Sequence, residues 1–286
     1  MLGAIVGDII GSVYERNNIK TKDFPLFRSD CHFTDDTVMT CAVAEAIMAG
    51  GRKIDFIDAL KEFGRMYPDV GYGYKFRKWL QSDDCKPYNS YGNGSAMRVS
   101  PCAWYLDCGF YGRTGIMPLE EWNIVKRSAI VTHNHPEGIK GAEATAYAIF
   151  MSRYYFRHYY DDCFTRVGDD PAEYKKRIKN GIEQNFGYDL SRTLDEIRPS
   201  YSFDSSCQNT VPQAITAFLE STDFEDAIRN AVSLGGDSDT LAAITGSIAE
   251  AAYGIPEWIK KKAFSYLDDP LRDVLKRWRR KCREEF

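Results

Sequence analysis

The sequence has no Cys-x-x-Cys pair. Its eight cysteines stand apart, at 31, 41, 85, 102, 108, 163, 207 and 282. A zinc ribbon or a thioredoxin-type centre needs closely spaced thiols, so neither is expected. Scattered thiols in a chain of 286 residues fit a reducing compartment better than a disulfide framework. No apolar run approaches the ~18 residues needed to span a membrane. The opening stretch Met1-Leu2-Gly3-Ala4-Ile5-Val6-Gly7-Asp8 has no basic segment and meets an aspartate at once, so no secretion signal is read there. The expected setting is the cytoplasm, away from membranes. Basic residues are not in surplus. A net charge of −4 argues against general nucleic-acid binding. The one basic run, Lys276 to Lys281, sits at the end of a helix-like segment, where cations complement the helix dipole. Alternating apolar and polar runs joined by hairpin turns are missing, and so is any repeat period.

What is present reads as helix. A first helix carries Gly3, Gly7 and Gly11 four apart, a smooth face for close packing. The segment Ala243-x-x-Gly246-x-x-Ala249-x-x-Ala252 carries small residues at similar intervals. Residues 37–49 are rich in helix formers and end at Gly50-Gly51, a plausible C-cap. Helical spacing or composition also marks 54–66, 119–131, 137–160, 172–184, 211–219, 224–234, 238–253, 256–267 and 271–284. Pro256 and Pro270 suit first turns. Residues 68–101 and 199–210 read as irregular. The expected architecture is all-α: one domain, 1–286, of roughly ten or more helices.

Two acidic clusters carry the chemistry. Thr34-Asp35-Asp36-Thr37 and Gly235-Gly236-Asp237-Ser238-Asp239-Thr240 each run straight into an apolar helical stretch. Taken singly, each cluster has an ordinary explanation: Thr34 or Ser238 caps a helix and acids meet its positive end. Together they place many hard oxygen ligands at two helix starts, and like charges so close call for a cation or a set of donors. Thr34, Asp35, Asp36, Asp237, Asp239 and Thr240 would supply an oxygen set for one or two divalent cations of the Mg or Mn type. Asp8, within the first helix, reads as structural support for those ligands. Glu15, at its end, either reaches a metal or sits in solvent.

Two further segments are weaker signals. Ser90-Tyr91-Gly92-Asn93-Gly94-Ser95-Ala96-Met97-Arg98 is either an anion-binding nest of backbone N–H groups or an ordinary turn with Asn-Gly at left-handed positions. It is not a Walker motif, because the Gly-Lys-Ser/Thr ending is absent. Thr132-His133-Asn134-His135-Pro136 sets two of the four histidines before a helix, for capping or for hydrogen bonding to a substrate.

In this order, these pieces resemble the ADP-ribosylglycohydrolase family, which includes the dinitrogenase-reductase-activating glycohydrolase and the ADP-ribosylarginine and ADP-ribosylserine hydrolases. The matching stretches are Gly3 to Gly11, Phe33 to Thr37, Gly92 to Arg98, Thr132 to Pro136, and Gly235 to Thr240 with the small-residue helix to Gly254. The resemblance implies an orthogonal helical bundle with two divalent cations, Mg or Mn, held by Thr34, Asp35, Asp36, Asp237, Asp239 and Thr240. Glu15 stands where some members carry a ligand glutamate on a mobile flap. Ser90, Tyr91, Gly92, Asn93 and Gly94 would hold the pyrophosphate of ADP-ribose, with Tyr91 stacking on adenine, and His133 would contact the ligand. Residues 155–210 match no motif and are the expected seat of substrate choice.

The implied reaction is hydrolysis at C1 of the distal ribose of an ADP-ribosylated protein or small molecule, arginine-linked first and serine-linked or polymeric second. Such bonds break through an oxocarbenium-like transition state. Asp36 is the first choice to accept or steer the water proton and Glu15 the second. Two alternatives from other classes are a metal-dependent nucleotide phosphohydrolase and a non-catalytic ADP-ribose-binding module.

Overall fold

The computed structural model describes residues 1–107, 122–160 and 170–282, with the backbone alone described at 156–160. Those residues form fifteen helices: α1 (Leu2–Gly11), α2 (Asp35–Ala49), α3 (Lys53–Met66), α4 (Tyr74–Gln81), α5 (Gly94–Met97), α6 (Ser100–Asp107), α7 (Asn123–Ile130), α8 (Pro136–Tyr160), α9 (Pro171–Phe186), α10 (Leu194–Ile197), α11 (Cys207–Leu219), α12 (Phe224–Ser233), α13 (Ser238–Tyr253), α14 (Glu257–Phe264) and α15 (Asp269–Cys282). Among the described residues there is no strand, only one antiparallel bridge between Gly92 and Ser206. The fold is all-α, as the sequence implies.

The centre of the bundle is α13, buried along nearly its whole length, with α1, α8, α11 and α12 packed around it. Its contact with α1 is made backbone to backbone. A Cβ added at Gly3 would lie 2.1 Å from Gly246 O, one at Gly7 2.0 Å from Ala242 O, and one at Gly11 2.5 Å from the Asp239 Cα. This order of contacts makes the two helices antiparallel. It sets the end of α1 beside the start of α13. The glycines read from the sequence as a packing face therefore fix where the end of α1 meets the second acidic segment.

Helix boundaries follow local chemistry. Thr34 caps α2, its hydroxyl accepting from the Asp36 N–H, and the helix stops at Gly50 and Gly51, which take φ of 138° and 70°. Ser238 is not the cap of α13: the helix starts there, and Asp237 holds the cap position without a side-chain capping bond. The reading of 211–219 starts four residues too late. Instead α11 begins at Cys207 and carries Pro212 inside. Residues 68–101 are less irregular than their Gly, Tyr and Asp content suggests. Phe76, Trp79 and Leu80 share one face of α4 and are buried, and α5 and the start of α6 follow. Residues 119–121 and 283–284, read as helical, lie outside the described residues. Cys31, Cys41, Cys85, Cys102, Cys207 and Cys282 are free thiols. No helix of the described residues is long and apolar enough to cross a membrane.

Because the carbonyl of Ala242 stands where a methyl at Gly7 would go, Gly7→Ala is expected to force α1 off α13 and cost about 2–3 kcal/mol. Urea denaturation of the two proteins measures this directly.

Candidate metal centre and substrate cavity

The first acidic segment is built on Asp8. Wholly buried in α1, this carboxylate accepts from Thr34 Oγ1 at 2.7 Å, the Thr34 N–H at 2.9 Å, the Thr37 N–H at 3.0 Å and the Thr37 hydroxyl. Four donors converge on one carboxylate and hold the first turn of α2 against α1. Burial raises the pKa of Asp8, and the Thr37 and Thr34 bonds oppose that shift. The structural role read for Asp8 is thus visible as a specific set of bonds.

The second segment turns through Gly235 and Gly236, with φ of 70° and 73°. A side chain is strained in that region, and glycine is not. The turn is gripped by Asn18, to which the sequence reading gave no part. Its Oδ1 accepts from the Gly236 N–H at 2.7 Å, and its Nδ2 donates to Gly236 O at 3.0 Å and to Tyr14 O and Glu15 O at 2.8 Å. Asn93 holds the next residue, donating to Asp237 Oδ2 at 2.7 Å and to Thr210 Oγ1 at 3.1 Å. Thr240 Oγ1 donates to Asp36 Oδ2 at 3.2 Å and so ties the two acidic segments together.

Carboxylate oxygens of Asp8, Asp36 and Asp239 lie within 4.8 Å of one another, and so do those of Glu15, Asp237 and Asp239. Asp239 belongs to both groups. Among the described residues no lysine or arginine forms an ion pair with any of these five. Asp36 Oδ1 is buried with no hydrogen-bond partner. Burial, then the Asp8 and Asp237 charges, push Asp35 up to about 8. Burial with Asp8, Asp35 and Asp237 holds Asp36 well above the usual carboxylate range, and burial with Asp237 and Asp36 does the same for Asp239. Glu15, at the cavity wall, is raised by burial and then by Asp237. Hard oxygen donors, an orphaned carboxylate oxygen and uncompensated negative charge are what a divalent cation satisfies, so the residues present fit the implied ions. Asp35 belongs to neither three-acid group. It stands at the cavity wall close to Gly71, its N–H bonded to Val70 O at 2.9 Å.

A cavity of about 1050 Å³ opens on these acids. Thr34, Asp35, Asp36, Asp237, Asp239, Thr240 and Glu15 all line it, and so do Ser90, Gly92, Asn93, Gly94 and His133. Tyr91 does not line it. The ring is half exposed and lies edge-on to His135, 5.5 Å between centroids. The aromatic walls are Phe33, Tyr74, Phe76, Tyr88 and Phe203 instead. The loop is also less open as a nest than expected: Ser90 Oγ takes the Gly92 N–H at 3.1 Å and Ser205 O the Asn93 N–H at 2.8 Å. Of the described residues between 155 and 210, Phe203 and Ser205 reach the cavity lining.

The sequence pattern of the ADP-ribosylglycohydrolase family matches residues 1–284. The chain belongs to this family. The chain is 27% identical to the ADP-ribosylhydrolase ARH3 of Gallus gallus, over 89% of this chain and 84% of that protein. It is also 27% identical to the ADP-ribosylarginine hydrolase Tri1 of Pseudomonas putida, over 93% and 73%. The Homo sapiens ARH3 is 25% identical, over 90% and 85%. A solved structure, an ADP-ribosylglycohydrolase-related protein complex, superposes with a TM-score of 0.63 at 23% identity, covering 97% of this chain and 95% of that one; it shares the fold.

The acidic cluster sets how the cation-free protein responds to pH. A carboxyl whose folded pKa lies above its unfolded value favours the fold at low pH, and that contribution is lost as pH rises through the folded pKa. For Asp35 the window runs from 3.8 to about 8. Stability in EDTA is therefore expected to fall as pH rises across that range. Mn²⁺ is expected to raise the melting temperature more at pH 8 than at pH 5. Thermal denaturation at both values, with and without the ion, checks this, and equal shifts would contradict it.

Proposed function

We propose that this chain is a metal-dependent glycohydrolase that cleaves the bond between C1 of the distal ribose of ADP-ribose and its acceptor, releasing ADP-ribose. The observation that carries this reading is that an acidic cluster, a glycine loop and a buried histidine line a single cavity. The family match over residues 1–284 supports the reaction class. Arginine is the favoured acceptor, since one relative is an ADP-ribosylarginine hydrolase; serine or a polymer is second.

Asp36, Asp237 and Asp239, with Thr34, Asp35 and Thr240, would hold two divalent cations, Mg or Mn. Such ions, when bound, polarise sugar hydroxyls and lower the pKa of a bound water. The protein's own contribution is placement. Asp8 fixes the Thr34–Thr37 turn, Asn93 fixes Asp237, and Thr240 holds one oxygen of Asp36. Asp36 Oδ1 has no protein partner, and with the cations bound Asp36 would be the first choice to accept the proton of the attacking water or to steer it. Glu15, on the loop after α1, is the second choice. The loop from Ser90 to Gly94, with His133 beside it, borders the same cavity and would seat the pyrophosphate.

Asp36→Asn keeps the shape and removes the charge. It is expected to lower turnover by on the order of 10²–10⁴-fold. The assay incubates arginine-linked, serine-linked and small-molecule ADP-ribose substrates with Mn²⁺ or Mg²⁺ and reads products by mass spectrometry. Release of phosphate from ADP-ribose would favour a nucleotide phosphohydrolase, and binding without turnover would favour a non-catalytic module. Full turnover by the Asp36→Asn protein with cation still bound would remove Asp36 from the mechanism.

A further inference from the structure

The motif running from Gly92 to Arg98 ends on a residue with no role so far. Arg98 is only 1% exposed, yet no carboxylate among the described residues pairs with it. Burial lowers its pKa to about 10, which still leaves it charged at neutral pH. A buried, unpaired guanidinium is costly unless its charge is used. One of its terminal nitrogens donates to Ser128 O at 3.1 Å and to Thr132 Oγ1 at 2.8 Å, while its Nε is buried without a partner. Thr132 Oγ1 in turn lies 2.8 Å from Nδ1 of His133.

We propose that Arg98 acts through Thr132 to hold His133 as the Nε2–H tautomer, a fixed donor aimed at the Gly92–Gly94 wall where the pyrophosphate would lie. The ligand in this statement rests on the function proposed above; the tautomer does not. Arginine has donors only, so Thr132 Oγ1 must accept from it. A hydroxyl that accepts from a cation becomes a stronger donor through its own proton and a weaker acceptor at its remaining lone pair. Nδ1 of His133, 2.8 Å away, is the acceptor that this strengthened donor meets. The Thr132 proton then goes to Nδ1, which must be bare, and the ring proton resides on Nε2. The Nε2 and Cε1 edge is the part of the ring nearest the loop: both atoms lie 3.3 Å from where a Cβ at Gly94 would stand. His133 is buried and lines the cavity. Burial, with the Arg98 charge adding to it, keeps the imidazole neutral well below its usual titration range. The chain of bonds thus delivers the pull of a buried cation to an oxyanion without exposing the guanidinium. Arg98 and Thr132 are positioning residues in this scheme, and neither has to touch the ligand.

The test reads the ring directly. In uniformly ¹⁵N-labelled protein, two-bond ¹H–¹⁵N correlations distinguish the tautomers of each of the four histidines. His133→Gln assigns the relevant signals by their loss. The expected wild-type pattern is a protonated Nε2 and a bare Nδ1, unchanged between pH 5.5 and 8. Thr132→Val should abolish that preference and weaken ADP-ribose binding, measured calorimetrically, by about tenfold; Thr132→Ser should preserve both. An Nδ1–H ring or a doubly protonated ring in the wild type at pH 7 would overturn the proposal, whether or not any variant folds. So would a Thr132→Val protein that keeps the Nε2–H pattern. A wild type with the expected tautomer that fails to bind ADP-ribose would overturn the assigned ligand and leave the relay standing.

Discussion

The site depends on the contact in which α1 and α13 touch through their backbones. Gly3, Gly7 and Gly11 leave no side chain between the two helices, so their axes approach as closely as the main chains allow. The antiparallel register then sets the end of α1, with Glu15 just beyond it, next to the start of α13, where Asp237 and Asp239 stand. Asp8, from the same helix, reaches the first turn of α2 and brings Thr34 and Asp36 to the same place. Three chain segments far apart in sequence converge because one helix has a face without side chains.

Convergence of this kind opposes folding. Several carboxylates are buried together with hydroxyl and amide donors around them, and no lysine or arginine among the described residues forms an ion pair with them. Burial and mutual repulsion raise their pKa values, so the folded chain holds protons or cations that the unfolded chain does not need. The surrounding bundle, with α13 enclosed by α1, α8, α11 and α12, offsets that cost. A site assembled against its own electrostatics is poised for a cationic ligand, and the same repulsion that weakens the empty protein increases its affinity for ions.

Much of this arrangement was legible in the sequence because it depends on residue types with few other uses. Asp next to Thr at two helix starts, and glycines four apart, are local patterns with local causes, and the helices they mark are present. What stayed hidden was set by tertiary partners. Asn18 is an unremarkable turn residue until Gly236 is found beside it. Asn93 reads as part of a phosphate loop, yet its amide is spent on Asp237 and Thr210. Tyr91, read as the adenine platform, is half exposed beside His135 and outside the cavity lining, a placement that no local pattern in the sequence fixes. The helix at 74–81 was masked by flanking Gly and Asp, although Phe76, Trp79 and Leu80 carry its spacing.

The Asn18 amide mimics a peptide group and bonds to both polar atoms of Gly236, while also fastening the carbonyls of Tyr14 and Glu15. The strand of chain bearing Glu15 and the bend bearing Asp237 are therefore mechanically yoked. Displacing one without the other would break two hydrogen bonds at once, so cargo entering or leaving this corner must either pass between parts that stay put or shift both together.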